Sequence, residues 1–156
     1  MTEVVNPAMR ALLTASPGPL PALPTPLQDD LASGVVRGEE QAPVADDDAG
    51  GDPSSFHDRT DLEASVNDLT LWSGDDDEPW DGPVLAALGR QVVAALRDLV
   101  GSAGHALPVR LVLSVDPPFA NVRMFSLRPD EPPWIEDPTG LDEPALLEDV
   151  DVPDRR

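Results

Sequence analysis

The chain has 156 residues with nineteen prolines, eleven glycines and no cysteine. Disulfides and cysteine-based zinc sites are therefore excluded, and the packed part must be smaller than the whole. Thirty acids against ten basic residues, all arginine, give a net charge of −20, which disfavours nucleic acid and anionic membranes and favours a basic protein partner.

Arginine without lysine, a single isoleucine and no tyrosine are what a GC-rich, for instance actinobacterial, coding sequence produces. The charge is segregated along the chain: −1 over residues 1–38, −14 over 39–83, +3 over 84–128 and −8 over 129–156. The opening Met1-Thr2-Glu3 lacks the basic start of a secretory signal, and no apolar run approaches a membrane span. The cytoplasm is the expected compartment.

In chain order, Asn6-Pro7 has the form of a helix start, Asn as cap and Pro at the first helical position, with Pro17-Gly18 as the stop. Residues 17–26, PGPLPALPTP, predict an extended proline-rich spacer. Thr25 and Gln28 have the spacing of a capping box, which predicts a two-turn helix ending at Gly34. Residues 37–60 show no apolar periodicity and include Asp46-Asp47-Asp48 and Gly50-Gly51, so they are expected to be disordered.

Order is expected to begin near Asp61. Val66 to Trp72 alternates, Leu69 and Leu71 on one face and Thr70 and Trp72 on the other, which predicts a first strand. After an acidic loop, Asp81-Gly82-Pro83 opens a helix over about 84–100. Leu85, Leu88, Val92, Leu96 and Leu99 keep the helical repeat, and Arg90 and Arg97 mark a narrow wet face. Val109 to Val115 has an unbroken apolar face at its odd positions, and Asp116-Pro117-Pro118 forms a turn into a third strand at 122–127.

The expected fold is α+β: a small β-α-β-β domain at 61–138, a three-stranded sheet with one main helix, between largely disordered acidic arms. Residues 1–60 form the N-terminal arm with two short helices and 139–156 the acidic C-terminal tail. One helix covers only one face of such a sheet. The other face then needs a cover: the chain's own segments, a second copy or a partner.

Two segments share a composition. Asp77-Glu78-Pro79-Trp80-Asp81 and Asp130-Glu131-Pro132-Pro133-Trp134-Ile135-Glu136 each set a tryptophan on a proline-stiffened acidic stretch. Such a ring, ringed by charge, suits a basic partner surface, and it equally suits a staple in which an arginine stacks on the indole. Trp72, Trp80, Trp134, Asp75, Asp76, Asp77, Glu78 and Glu131 are the candidate partner-binding residues. The aspartate runs lack the alternating spacing and central glycine of a calcium loop, and the two histidines, His57 and His105, do not make a ligand pair. No glycine elbow frames a serine and no phosphate loop follows a strand, so neither catalytic residues nor a cofactor nor a metal is expected.

The helix, the Pro108 to Leu113 strand and the hairpin, over residues 84–128, resemble small bacterial immunity proteins of toxin systems, although the pattern is a generic one. The functional expectation is a non-catalytic interaction module, immunity-, antitoxin- or chaperone-like, that binds a basic protein partner such as a toxin. The alternative is a homodimeric phage or secretion-system accessory protein whose arms fold back on Arg90, Arg97, Arg110 and Arg123. A small enzyme ranks last.

Overall fold

The computed structural model of the chain describes residues 2–33, 58–103, 105 and 107–151. The aspartate-rich stretch expected to be disordered falls mainly outside them, as does His57. In chain order the elements are β1 (Thr2–Val5), α1 (Pro7–Thr14), α2 (Thr25–Ser33), α3 (Arg59–Val66), β2 (Asp68–Leu71), α4 (Gly82–Ala103), β3 (Val109–Asp116), β4 (Phe119–Ser126) and β5 (Ala145–Val150). A 3₁₀ turn, Pro138–Gly140, precedes β5.

The sheet has five strands in the order β1-β5-β3-β4-β2, every neighbouring pair antiparallel. The α+β class and the single main helix are as expected; the three-stranded sheet is not. Two strands come from the segments read as arm and tail. β5 was hidden by its own acids, because Leu146 and Leu147 are followed by Glu148, Asp149 and Asp151. In the sheet these charges are answered: Arg97 Nη1 donates to Glu148 Oε1 at 2.9 Å, and Arg110 grips Asp149 with Nε at 2.7 Å and Nη2 at 2.9 Å. β1 borders β5, and its Glu3 pairs with Arg90 at 3.1 Å.

α4 lies along one face of the sheet. Leu85, Leu88, Val92 and Leu96 meet Leu111, Leu113, Val122, Met124 and Leu146 in one buried cluster. Asp81 caps the helix, its Oδ1 accepting from the Val84 N–H at 3.0 Å. The helix runs past Gly101, the expected stop, to Ala103. Gly89 allows the close approach to β3, since a Cβ there would run into the Leu113 side chain. α1 packs on α4, with Met9 fully buried and Leu12 against Gly82. Asn6 ties this corner together: Oδ1 accepts from Met9 N at 2.9 Å and Ala145 N at 3.0 Å, and Nδ2 donates to Glu143 O at 2.8 Å.

The opposite face is covered by the chain itself. α3, missed in the sequence because RTDLEASV has little apolar periodicity, packs against β4 and puts Ala64 in a cluster with Val112 and Phe125. The return segment between β4 and β5 crosses the rest of this face and packs Ile135 against the same cluster. Arg110 Nη1 donates to Ile135 O at 2.7 Å and so fixes the crossing. Val112, Phe125 and Leu147, which point to this side, are at most 2% exposed. The far corner is polar: Asn121 Nδ2 donates to Asp68 Oδ1 at 2.9 Å and to Thr70 Oγ1 at 3.0 Å. Of the three covers expected for this face, the chain's own segments provide it. No described helix is long and apolar enough to cross a membrane.

Candidate partner-binding groove

The β2–α4 loop, residues 72–81, carries five acids and no basic residue. Its path is set locally. Ser73 Oγ accepts from Asp75 N at 3.1 Å and donates to Asp75 O at 2.7 Å, while Asp75 Oδ1 accepts from Asp77 N at 2.9 Å. These side chain to backbone bonds are turns of the kind Ser and Asp form in place of regular structure. Gly74 supplies the one residue of the loop at positive φ, +79°.

The loop stands beside the β3–β4 turn because β2 pairs with β4 in a register that sets Leu71 opposite Ala120. The residue after Leu71 is then brought to the one before Ala120: the Trp72 and Phe119 rings lie 6.4 Å apart. Between loop and turn is a groove of about 410 Å³. Its apolar walls are Trp72, Trp80, Pro79, Pro117 and Pro118, and Asp75, Asp76 and Asp81 stand among them. Trp80 also rests on the main core, which fixes that wall.

Of the eight candidate residues, Trp72, Trp80, Asp75 and Asp76 line this groove, and Asp77 and Glu78 belong to the same exposed loop. Trp134 and Glu131 sit elsewhere. The Trp134 ring lies 4.6 Å from the Arg123 guanidinium carbon and edge-on to Phe125, centroids 6.5 Å apart. Glu131 Oε2 accepts from Thr60 N at 3.0 Å and Thr60 Oγ1 at 2.8 Å, holding the start of α3. The return segment thus joins α3 and the sheet. Pro117 and Pro118 were read only as a turn, and Phe119, which opens β4 ahead of the expected strand at 122–127, was not singled out, yet it is 43% exposed. An aromatic next to a Pro-Pro turn was the signal for it.

No family model, curated protein or solved structure matches the chain.

Elsewhere the polar groups belong to the fold. Arg128 and Glu63 form a buried pair, their side chains 2% and 0% exposed, and Glu63 Oε2 also accepts from Ser126 N at 2.6 Å. Both partners are needed, since either charge alone would be buried without compensation. Asp137 has its pKa held below the ordinary 3.8 by bonds from the Thr139 N–H and then the Thr139 hydroxyl. His105 is buried just after α4. Among the described residues no three of His, Asp and Glu come together as a metal set.

Proposed function

We propose that the chain is a non-catalytic interaction module of the immunity, antitoxin or dedicated-chaperone kind, which binds a basic protein partner through the groove between its β2–α4 loop and its β3–β4 turn. The observation that carries this reading is the pairing of exposed aromatic surface with uncompensated charge. Trp72 and Phe119 are 40% and 43% exposed, and the adjoining loop contributes five acids and no cation. An aromatic anchor surrounded by one sign of charge has the anatomy of a hot spot for a partner of the other sign. Long-range attraction from a chain of net charge −20 adds rate to such an encounter. The basis differs from the sequence expectation, because the sheet needs no outside cover.

The test is association of the purified chain with the products of its neighbouring genes at low and high salt. A complex that weakens with salt and is lost in Trp72→Ala supports the proposal. A complex indifferent to both changes, or none with any neighbour, removes it.

The adjacency of Trp72 and Phe119 also favours a second reading, a homodimer closed through this corner. Sedimentation separates the two. A dimer buried through apolar rings persists in high salt, which screens the mutual repulsion of two acidic chains, whereas a module awaiting a partner stays monomeric throughout.

A further inference from the structure

One of the two tryptophan-bearing acidic segments already holds an occupant within the chain. Arg123 lies on the Trp134 indole at 4.6 Å, and its guanidinium is closed at the edge by Asp68, with Nε and Nη2 each 3.0 Å from Oδ2. The unit has three parts: an aromatic face, a planar cation on it and a carboxylate oxygen at the edge of that cation. Guanidinium suits all three, because it is delocalised enough to stack, weakly hydrated enough to leave water, and forked to match a carboxylate.

The groove presents two of these parts and lacks the third. Trp72 and Trp80 supply indoles and Asp75, Asp76 and Asp81 supply carboxylates. Among the described residues no arginine stacks on either ring; the one such contact is Arg123 on Trp134. The volume, about 410 Å³, exceeds what one guanidinium fills, and the proline walls offer rigid apolar surface to the residues beside it. That favours an arginine carried on a chain over a free small cation.

We propose that the groove is a receptor for an arginine side chain on an extended segment of the partner protein, stacked on Trp72 or Trp80 and closed by the loop aspartates, as Arg123 is closed by Asp68. The inference rests on the basic-partner reading above and narrows it to one side chain.

The test follows the three indole N–H resonances of the ¹⁵N-labelled full chain, assigned with single Trp→Phe variants. The probes are acetyl-Leu-Arg-Leu-amide, its lysine and citrulline counterparts, and N-acetylarginine amide alone. The Trp72 and Trp80 signals should move with the arginine peptide while Trp134 stays, with arginine roughly threefold or more tighter than lysine and no response to citrulline. Trp72→Ala and Asp76→Asn, checked for folding by circular dichroism, should each weaken the response. Equal shifts with arginine and lysine overturn the arginine inference and leave the basic-partner reading standing. N-acetylarginine amide binding as tightly as the peptide overturns the extended-segment occupant. Silence of both groove indoles towards every cationic probe removes the inference, while a salt-sensitive, Trp72-dependent complex with a neighbouring gene product would still uphold the broader reading.

Discussion

Residues 77–81 and 130–136 are written in the same letters and have opposite fates. The first belongs to a loop that rims a groove; the second is stitched into the sheet. Exposure does not explain this, for Trp134 of the stitched segment is 39% exposed while Trp80 of the loop is half-buried and rests on the main core. What differs is a cation within reach. The return segment passes over the face where Arg110 and Arg123 stand in adjacent strands, so its carbonyls and its indole find guanidinium groups. The loop at 72–81 sits at the end of β2, beside a turn built of two prolines, and meets none among the described residues. In the second segment the acid-proline-tryptophan pattern has taken up cations of the chain itself, and where the sheet places such a segment decides whether it can.

The largest expected effect breaks the stitched segment at its base. Arg128→Ala leaves the Glu63 carboxylate buried without its partner and should cost about 3–5 kcal/mol in urea unfolding. A cost under about 1 kcal/mol would mean that water or Ser126 alone suffices for Glu63. Next in size is the direct comparison of the two indoles. Trp134→Ala loses the stack on Arg123 and the edge contact with Phe125, and should cost about 2 kcal/mol. Trp72→Ala should cost less, about 1 kcal/mol, because its ring has the tilted contact with Phe119 but no guanidinium stacked on it. Its penalty should appear in partner binding instead. If Trp72→Ala proved the more destabilising of the pair, Trp72 would be the structural indole and Trp134 the spare one.

The same contrast explains what was legible in the sequence. α4 announced itself because a single broad apolar stripe is dictated by one burying surface, and β3 because its odd positions 109 to 115 are all apolar, with Arg110 at an even one. β5 did not, since Glu148 and Asp149 look like tail until Arg97 and Arg110 are known to lie beside them. α3 is short and polar, and Glu63 and Thr60 tie it to Arg128 and Glu131, partners far along the chain that no local pattern announces. The groove was half legible. Trp72, Asp75, Asp76 and Trp80 are near one another in the chain, whereas Pro117 and Pro118 join them, and Phe119 comes beside Trp72, only through the β2–β4 register, which no local pattern fixes.

A smaller effect sharpens the comparison on the carboxylates. Asp75→Asn with Asp76→Asn removes two like charges from an acidic loop, so stability should change by no more than about 0.5 kcal/mol, towards greater stability if at all. Affinity for the arginine peptide should fall several-fold in the same variant. Loss of stability without loss of affinity would assign these aspartates to the fold.

The smallest effect concerns a carboxylate that the return segment does employ. Asp137 Oδ1 accepts from Thr139 N at 2.8 Å and Thr139 Oγ1 at 2.7 Å, which fixes the 3₁₀ turn, and Asn6 Nδ2 donates to the Pro138 carbonyl of that same turn. Those two bonds favour the charged form and hold the pKa below the ordinary 3.8. A group whose folded pKa is depressed contributes stability that is fully present above its unfolded value and is lost as pH falls through the folded one. The stability difference between the native chain and Asp137→Ala should accordingly be constant from neutral pH down to about pH 5 and shrink progressively below it. Measured as the shift in urea midpoint against pH, a difference that stayed level to the acid end would show the turn to be capped as well by the neutral acid. The charge of the return segment would then be incidental to its hold on the sheet, and the distinction from the groove would rest on its arginine contacts alone.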